Sequence, residues 1–505
     1  MELKELTSRF IDILGIQNTA DISIAIAERV VNDSLGLQKE TIFAEYLKLC
    51  PNLEVDYLQK IHQFFNSDRV EKKQDFTPAC LGKLLAALTP CGEWVLDCCA
   101  GSGALTIQKW AQDKTQKFYC EELDSNVIPL LLFNLSVRNI TGYVINKNVV
   151  TEEVFKIWKL EAGERYSVIT EIKELPDLNF DCAISNPPYN IPWMPTNSKR
   201  FNGWPLLPPK GNANLVFVAR LLENLKGTAA AILPCGVLDK NNEQGIREYL
   251  LNQHFIKSVI VLPDRMFEST SIPVCVIVFE AGSNNTVFID QRNKFNTETR
   301  LQKGELHMAN RTYHKEVKVL TDAHIADIVK IIDEKIEIKG HSKVGFPKDC
   351  AQNKYVLLPS RYIEFETEEC IHRPFKEIIN DINKIIAEKN IVKITVNETI
   401  AKDLGLQEIA ELVKQGNQGI ESQNVTYEKL LDAKIEKEDY ISLTKNKNEF
   451  KFENKNKECL SSLFKILLPM WKQHIFYLNE QENILLAELR DAMLLELMSG
   501  KLTIE

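Results

Sequence analysis

The chain has 505 residues, of which 44% are hydrophobic and 26% are charged. This composition is typical of folded globular proteins of about three domains, and it excludes disorder or a collagen-like repeat as a description of the whole chain. With 61 Lys and Arg against 70 Asp and Glu, the formal charge is −9, so the chain as a whole is not a basic DNA clamp and nucleic-acid binding would need a local patch or a basic partner.

The first residues are charged and amphipathic, without the apolar core of a signal peptide, and no run approaches the roughly 18 apolar residues of a membrane span. The twelve cysteines include no CxxC pair, and no Cys/His cluster has the spacing of zinc ligands. We therefore expect a cytoplasmic protein with reduced cysteines, no metal and no membrane contact.

Three regions differ in their hydrophobic pattern along the chain. Residues 1–75 have apolar positions at helical spacing, which predicts an N-terminal helical domain. Residues 76–365 alternate short apolar runs with turns and helical stretches, which predicts an α/β domain with a doubly wound, mostly parallel sheet. Residues 366–505 are rich in Lys and Glu, which together with two long helical stretches predicts a C-terminal helical region. Within it, residues 433–458 are either a linker or a hairpin.

A glycine turn follows the first predicted strand. Asp97 ends this strand, Ala100, Gly101 and Gly103 form the turn, and Glu122 ends the next strand. Glycines allow the backbone to approach a ligand, and an acid at the second strand end can accept both hydroxyls of a ribose. The third glycine of a dinucleotide fingerprint and the Gly-Lys-Ser/Thr of a P-loop are absent. The alternative is a purely structural turn with surface acids.

A second motif, Asn186-Pro187-Pro188-Tyr189, ends a later strand. It resembles the D/N/S-P-P-Y/F/W tetrapeptide of amino-methyltransferases that use S-adenosylmethionine. The Asn186 oxygen and the Pro187 carbonyl can accept both N–H groups of an exocyclic amine, the prolines stiffen the turn, and Tyr189 can stack on a flipped base. The alternative is a rigid loop without catalytic function.

Sequence around these motifs resembles one family more closely. Phe76-Thr77-Pro78 resembles the segment that lines the methionine end of the cofactor in DNA adenine methyltransferases, and its order before the other motifs is that of the gamma class. Blocks across residues 76–365 resemble the modification (methyltransferase) subunits of type I restriction-modification systems, and they include Leu207-Pro208-Pro209 and Phe267-x-x-Thr270-x-Ile272-Pro273. The resemblance implies a Rossmann-like methyltransferase domain.

This chain departs from the family in three places. Its tetrapeptide ends in Tyr189 where the family usually has Phe. Asn148 stands where an acid often contacts the cofactor adenine. The N-terminal helical region is short for the group, which puts a DNA-gripping role for it in question.

Other segments have competing interpretations. Pro234-Cys235 matches the nucleophile dipeptide of cytosine-C5 methyltransferases, but the amine chemistry of the Asn186 motif needs no thiolate and we reject that role. Glu337-Ile338-Lys339 has the composition of a nuclease triplet, and we interpret it as a helix surface. Lys199, Arg200 and Lys210 form either a phosphate-binding patch or a solvated loop.

The last helix has Leu486, Leu489, Met493 and Leu497 on one face. This face is either intrachain core or a docking surface, and residues 488–501 resemble the helices by which modification and specificity subunits bundle together. The resemblance therefore implies docking of a specificity subunit at the C-terminal helices.

From these observations we predict a DNA adenine-N6 methyltransferase that uses S-adenosylmethionine. Its expected partners are double-stranded DNA, a specificity subunit and, in a complete system, a restriction subunit. The alternatives are a protein glutamine-amide methyltransferase and a non-catalytic scaffold subunit, with a fused nuclease as a lesser one.

Overall fold

The computed structural model describes residues 3–33, 36–65, 77–267, 272–303, 312–364, 372–403, 441–443, 450–452 and 462–498. Contacts between residues divide the chain into two units, Met1–Glu366 and Thr367–Glu505.

The first unit begins with short helices that pack on the α/β domain. Their ring side chains surround Phe133, whose ring centroid lies 4.8 Å from that of Phe43 and 4.9 Å from that of Tyr46, both edge-on. A π-helical turn, Ala27–Val31, extends the second of these helices. The helices are α1 (Leu3–Leu14), α2 (Ile22–Ile26), α3 (Leu37–Leu49) and α4 (Tyr57–Phe65).

An 11-stranded sheet forms the centre of this unit, in the order β13-β10-β8-β9-β7-β6-β1-β2-β3-β4-β5. The elements are α5 (Ala79–Leu88), β1 (Trp94–Cys98), α6 (Ala104–Gln112), β2 (Lys117–Glu122), α7 (Ile128–Val137), β3 (Gly142–Lys147), β4 (Val154–Glu161), β5 (Val168–Ile172), β6 (Phe180–Ser185), α8 (Asn214–Leu222), β7 (Leu225–Pro234), α9 (Gln244–Asn252), β8 (Ile256–Val261), β9 (Val274–Glu280), β10 (Thr286–Asp290), β11 (Asn296–Lys303), β12 (Thr312–Val319), α10 (Asp322–Glu334), β13 (Ser342–Gly345) and α11 (Pro347–Gln352). Strands β11 and β12 form a separate antiparallel pair.

The sheet is mostly parallel and covered on both faces, which confirms the predicted doubly wound α/β fold. Among the described strands, only β4, β9 and β13 run against the other strands of the sheet. Side chains of α5, α6, α7 and α10 pack on one face, and those of α8 and α9 pack on the other. Because β1 lies between β2 and β6, and α6 and α8 leave on opposite faces, a crevice opens at the carboxyl ends of β1 and β6.

The triplet Glu337-Ile338-Lys339 does not lie on a helix surface, so that prediction was wrong. Helix α10 ends at Glu334, where Lys335 adopts a left-handed backbone with φ 55°. The triplet therefore lies in the turn before β13, and the Glu337 carboxylate pairs with the Lys343 ammonium at 2.9 Å.

The second unit contains two long helices that pack against each other, α12 (Phe375–Asp403) and α13 (Ser462–Met498). Ion pairs cross between them, with Lys389 and Glu482 at 2.5 Å. Segment 433–458 contains an antiparallel pair, β14 (Ile441–Leu443) and β15 (Phe450–Phe452), which corresponds to the hairpin alternative.

No single helix among the described residues is both long and apolar enough to cross a membrane. The segments Leu3–Leu14 and Thr19–Val31 have the length and apolar composition of a membrane span only when they are taken together, and they are bent by 57° relative to each other.

Candidate functional site

The two predicted motifs lie side by side because their strands are neighbours. Strands β1 and β6 pair in parallel, with Asp97 opposite Ile184. One residue further on, the Ser185 hydroxyl donates to the Cys98 carbonyl. The glycine turn and Asn186 therefore leave the sheet at the same edge.

Backbone hydrogen bonds from the neighbouring strand β2 hold the glycine turn. The N–H groups of Cys99 and Ala100 both donate to the Glu121 carbonyl at 2.9 Å. Gly101 and Gly103 adopt left-handed conformations, with φ 57° and 96°. A Cβ atom added at Gly101 would meet no atom of the described part of the chain within 4 Å, so the backbone there is open to a ligand.

The Glu122 carboxylate faces the turn and binds it directly. One oxygen accepts the Gly101 N–H at 2.8 Å, and the other accepts the Asp124 N–H at 2.7 Å. Burial raises the pKa of this carboxyl group. Each carboxylate oxygen retains acceptor capacity, which is what hydroxyl donors of a ribose require.

Asp97 is fully buried and only half satisfied. One carboxylate oxygen accepts from the Thr106 hydroxyl at 2.5 Å, whereas the other has no hydrogen-bond partner among the described residues. Burial raises the pKa of Asp97 to about 7. An unpartnered buried oxygen near the end of β1 is an acceptor that a positively charged or N–H-bearing ligand group can satisfy.

Sequence reasoning missed a buried network that joins the N-terminal helices to the glycine turn. The Asp56 carboxylate accepts from the Ser102 hydroxyl at 2.6 Å and from the Asn134 amide at 2.9 Å. The same amide also donates to the Ser102 carbonyl at 2.8 Å. Asp56 precedes α4 and has the sequence signature of a helix cap only, so no local pattern marks this contact.

Sequence reasoning also missed a buried ion cluster at the end of β2. The Arg220 guanidinium and the Lys147 ammonium both contact the Glu121 carboxylate, at 2.9 Å each. Burial alone would raise the pKa of Glu121, but these two cations outweigh it and hold the pKa at about 2. The cluster fixes the end of β2, whose Glu121 carbonyl accepts from the turn.

Hydroxyl groups hold the Asn186 side chain at both ends. Its amide nitrogen donates to the Thr77 hydroxyl at 2.8 Å, and its amide oxygen accepts from the Tyr189 hydroxyl at 2.8 Å. Thr77 and Pro78 immediately precede α5, so the structure brings two residues of the 76–78 segment to this edge, whereas Phe76 lies outside the described residues.

Asn148 lies just beyond β3, at the edge of the sheet where β2 also ends. Its side-chain oxygen accepts from the N–H groups of Val150 and Thr151 at 3.0 and 3.2 Å, so it caps the turn there. Its contact with the cofactor adenine stays a prediction.

Arg200 belongs neither to a phosphate-binding patch nor to a solvated loop, so both alternatives were wrong for this residue. Its side chain is 1% exposed, and its guanidinium donates to the Val149 carbonyl at 2.6 Å and lies 3.4 Å from the Glu223 carboxylate. Lys199 and Lys210 are exposed.

Comparisons with known proteins decide the family. The family model described as N-6 DNA Methylase matches residues 56–370. This chain belongs to the N-6 DNA methylase family.

Two curated relatives of this chain are named as methylase subunits of type I restriction enzymes. The "Type I restriction enzyme MpnII methylase subunit" of Mycoplasma pneumoniae is 26% identical over 64% of this chain and 59% of its own length. The "Type I restriction enzyme MjaIX methylase subunit" of Methanocaldococcus jannaschii is 22% identical over 68% of this chain and 63% of its own length. These findings confirm the resemblance to type I modification subunits, although the chain spans only about three fifths of these two relatives.

A solved structure shows the same fold. The type I restriction-modification system methyltransferase subunit from Streptococcus thermophilus has a TM-score of 0.50 and 24% identity, over 72% of this chain and 77% of that one. The Rossmann-like methyltransferase fold predicted from the sequence is therefore confirmed.

Membership of this family makes S-adenosylmethionine the cofactor, and the crevice fits it. The backbone at Gly101 is open, Glu122 retains lone pairs for hydroxyl donors, and the unpartnered Asp97 oxygen offers an acceptor for the ammonium of the cofactor's methionine part. Among the described residues, no group of three or more His, Cys, Asp or Glu side chains is placed to hold a metal ion.

Proposed function

We propose that this protein is a DNA adenine-N6 methyltransferase, the modification subunit of a type I-like restriction-modification system. The observation that carries the proposal is the position of Asn186, which lies at the end of β6 beside the glycine turn and has its amide held by two hydroxyl groups. Its substrate is an adenine flipped out of double-stranded DNA, and we propose the cytoplasm as its location.

Each residue of the tetrapeptide has a separate task in this proposal. The Asn186 oxygen and the Pro187 carbonyl accept the two N–H bonds of the adenine amine, so that its lone pair is directed at the methyl group. Pro187 and Pro188 fix the backbone before the base arrives, and the Tyr189 ring stacks on the base. S-adenosylmethionine supplies the electrophilic methyl group when it is bound.

Residues around the glycine turn bind the cofactor. We assign the ribose hydroxyls to Glu122, the methionine ammonium to Asp97, and the close backbone approach to Ala100, Gly101 and Gly103. Family resemblance adds Phe76, Thr77 and Pro78 at the methionine end and Asn148 near the adenine.

Sequence choice belongs to a specificity subunit that docks on the second unit, and a restriction subunit completes the system. This partner assignment is supported by the exposed apolar side chains of α13. Leu486 and Met493 are 45% and 43% exposed, whereas Leu478 and Ala492 are buried at 3%. The intrachain-core interpretation therefore fails for Leu486 and Met493.

The test is a methyl-transfer assay with the full chain, its specificity subunit, duplex DNA and tritiated S-adenosylmethionine. Label is expected at adenine N6. Asn186→Ala should reduce labelling by at least about a hundredfold while cofactor binding persists, because the acceptor for the amine is lost. Asn18→Ala, at an exposed residue without a side-chain cap bond, is the matched control and should label DNA normally.

Other outcomes each contradict the proposal in a distinct way. Label in a protein glutamine would indicate the amide methyltransferase, and label at cytosine N4 would change the target. Absence of both label and cofactor binding would indicate a scaffold subunit, and metal-dependent DNA cleavage would indicate a nuclease.

A further inference from the structure

The Asn186 amide makes a hydrogen bond to a hydroxyl group at each of its two ends, and the two hydroxyl groups come from different parts of the chain. Thr77, which accepts from the amide nitrogen, lies 109 residues earlier in the sequence. Tyr189, which donates to the amide oxygen, lies three residues later. The side chain therefore has a partner for each of its two chemically different ends.

Orientation of this amide decides whether the chemistry can proceed. Its terminal torsion is soft, and its nitrogen and oxygen ends have nearly the same shape. With the oxygen towards the target amine, the side chain accepts an N–H bond. With the nitrogen there, it would present donors to a donor and could not accept the amine N–H groups.

The two hydroxyl groups favour one orientation because they differ chemically. A phenol is the better donor and the poorer acceptor, since its lone pair is delocalised into the ring. The Tyr189 hydroxyl is therefore matched to the amide oxygen, and the aliphatic Thr77 hydroxyl is matched to the amide nitrogen.

Packing keeps the Tyr189 hydroxyl in place. Its ring contacts Phe267 edge-on, with centroids 6.2 Å apart and an interplanar angle of 87°. Phe267 is only 2% exposed, so this contact is anchored in the core. A phenylalanine at position 189, as the family usually has, would leave the amide oxygen without this donor.

We propose that Thr77 is a positioning residue for Asn186, and that the Tyr189 hydroxyl is the second determinant of the same amide orientation. This inference rests on the proposed function and deepens it. It assigns the Thr77 hydroxyl to Asn186 and leaves contact with the cofactor to other atoms of the 76–78 segment: the Thr77 hydroxyl turns the Asn186 oxygen towards the amine, and the Tyr189 hydroxyl holds that oxygen until the base arrives.

The test compares single-turnover methyl transfer with cofactor affinity in four variants of the full chain, assayed with its specificity subunit. Thr77→Val removes the hydroxyl at constant shape and should slow transfer about tenfold, with the dissociation constant for S-adenosylmethionine within about twofold of wild type. Thr77→Ser restores the hydroxyl and should stay within about threefold of the wild-type rate. Tyr189→Phe should slow transfer about threefold, and Thr77→Val/Tyr189→Phe should lose more than the product of the single effects, because either hydroxyl alone still orients the amide.

Thr196→Val is the matched control, because Thr196 is exposed and its hydroxyl donates only to the nearby Met194 carbonyl among the hydrogen bonds described. Its rate should equal that of wild type. The inference is overturned if Thr77→Val transfers methyl as fast as Thr77→Ser, or if it weakens cofactor binding as much as it slows transfer. The second result would make the Thr77 hydroxyl a ligand of the cofactor and not the group that positions Asn186.

A readout without catalysis separates this inference from the proposed function. The Asn186 side-chain amide signals, assigned in ¹⁵N-labelled protein by their loss in Asn186→Ala, should shift in Thr77→Val and stay near their wild-type positions in Thr77→Ser. If wild type fails to label adenine, the proposed function falls, but these signals still decide whether Thr77 orients the amide. Identical spectra for the two Thr77 variants would overturn the inference.

Discussion

The Asp56 carboxylate, which precedes α4, accepts a 2.6 Å hydrogen bond from the Ser102 hydroxyl, which lies between Gly101 and Gly103 of the glycine turn. Both side chains are buried, with Asp56 6% and Ser102 2% exposed. The N-terminal region therefore does more than cover the α/β domain: the carboxylate that precedes α4 binds the glycine turn to which we assign the cofactor.

Asp56→Ala should destabilise the protein and weaken cofactor binding together. The substitution leaves the buried Ser102 hydroxyl and one Asn134 N–H without their acceptor, which should cost about 3 kcal/mol of unfolding free energy. Loosening of the turn should raise the dissociation constant for S-adenosylmethionine on the order of tenfold. Urea unfolding and calorimetric titration measure the two effects.

Thr286→Val is the control for Asp56→Ala. It removes a buried hydroxyl that donates to the Ile256 carbonyl at 2.8 Å, in a strand away from the glycine turn. It should lower stability and leave cofactor affinity unchanged. If Asp56→Ala also left that affinity unchanged, Asp56 would have no role in shaping the turn.

Asp97 should make stability decrease as the pH rises from 5.5 to 8. Burial raises its pKa to about 7, well above the value of an exposed aspartate, so the folded protein holds a proton that the unfolded chain has released. The unfolding free energy therefore decreases as the pH rises towards the folded-state pKa, and it stays lower above that pKa. Between pH 5.5 and 8 the loss should be about 2 kcal/mol.

Asp97→Asn removes this ionisation, so its stability should lack the corresponding loss. The comparison is the difference in unfolding free energy between pH 5.5 and pH 8 for each protein, which does not depend on how much the substitution changes stability overall. Equal pH dependence in both proteins would show that Asp97 does not titrate in this range.

The parts of this molecule that were predictable from sequence are those with local signatures. Strands such as β7 and β9 are apolar on both faces, and this pattern identifies buried strands without knowledge of their neighbours. The glycine turn and the Asn186 tetrapeptide are contiguous, and each follows a strand. Their adjacency follows from the parallel sheet, in which carboxyl ends share an edge.

Contacts between distant segments could not be predicted in the same way. Asp56 contacts the glycine turn and Thr77 contacts Asn186, both from segments before α5. No sequence pattern distinguishes these two residues from ordinary caps and turns. Arg200 lies in a Lys-Arg-Phe sequence that suggests solvent, yet its side chain is buried against the Val149 carbonyl and Glu223. Burial of a long polar side chain depends on partners that only the tertiary fold supplies.

Glu121→Gln should be among the most destabilising single substitutions of the α/β domain. It leaves Arg220 and Lys147 without their buried counter-charge, which should cost about 3–5 kcal/mol at neutral pH.

The pKa of about 2 lies below the unfolded value, so the contribution of Glu121 is present above about pH 4.5 and is lost as the pH falls towards 2. Urea unfolding at pH 7 and pH 3.5 should show a smaller difference between variant and wild type at the lower pH.

Glu93→Gln provides the exposed counterpart. Glu93 pairs with Lys117 at 2.7 Å, but its side chain is 64% exposed, so the loss should be about 0.5 kcal/mol or less. Equal losses for Glu121→Gln and Glu93→Gln would show that burial of the Glu121 cluster has no energetic consequence.

Leu486 and Met493 lie seven residues apart on α13, so both point to nearly the same side of the helix. Because both are partly exposed, replacing them by lysine should disturb the helix pair little while placing charge on the proposed docking surface. Leu486→Lys/Met493→Lys should therefore lose the specificity subunit on co-purification and keep normal binding of S-adenosylmethionine, whose site lies in the first unit.

Val168→Lys, at a 51% exposed residue of β5, introduces the same kind of charge and should leave the complex intact. A double variant that still retains the partner at the wild-type ratio would move the docking surface to another part of the chain, because an apolar interface cannot accommodate two unpaired ammonium groups without a large loss of affinity.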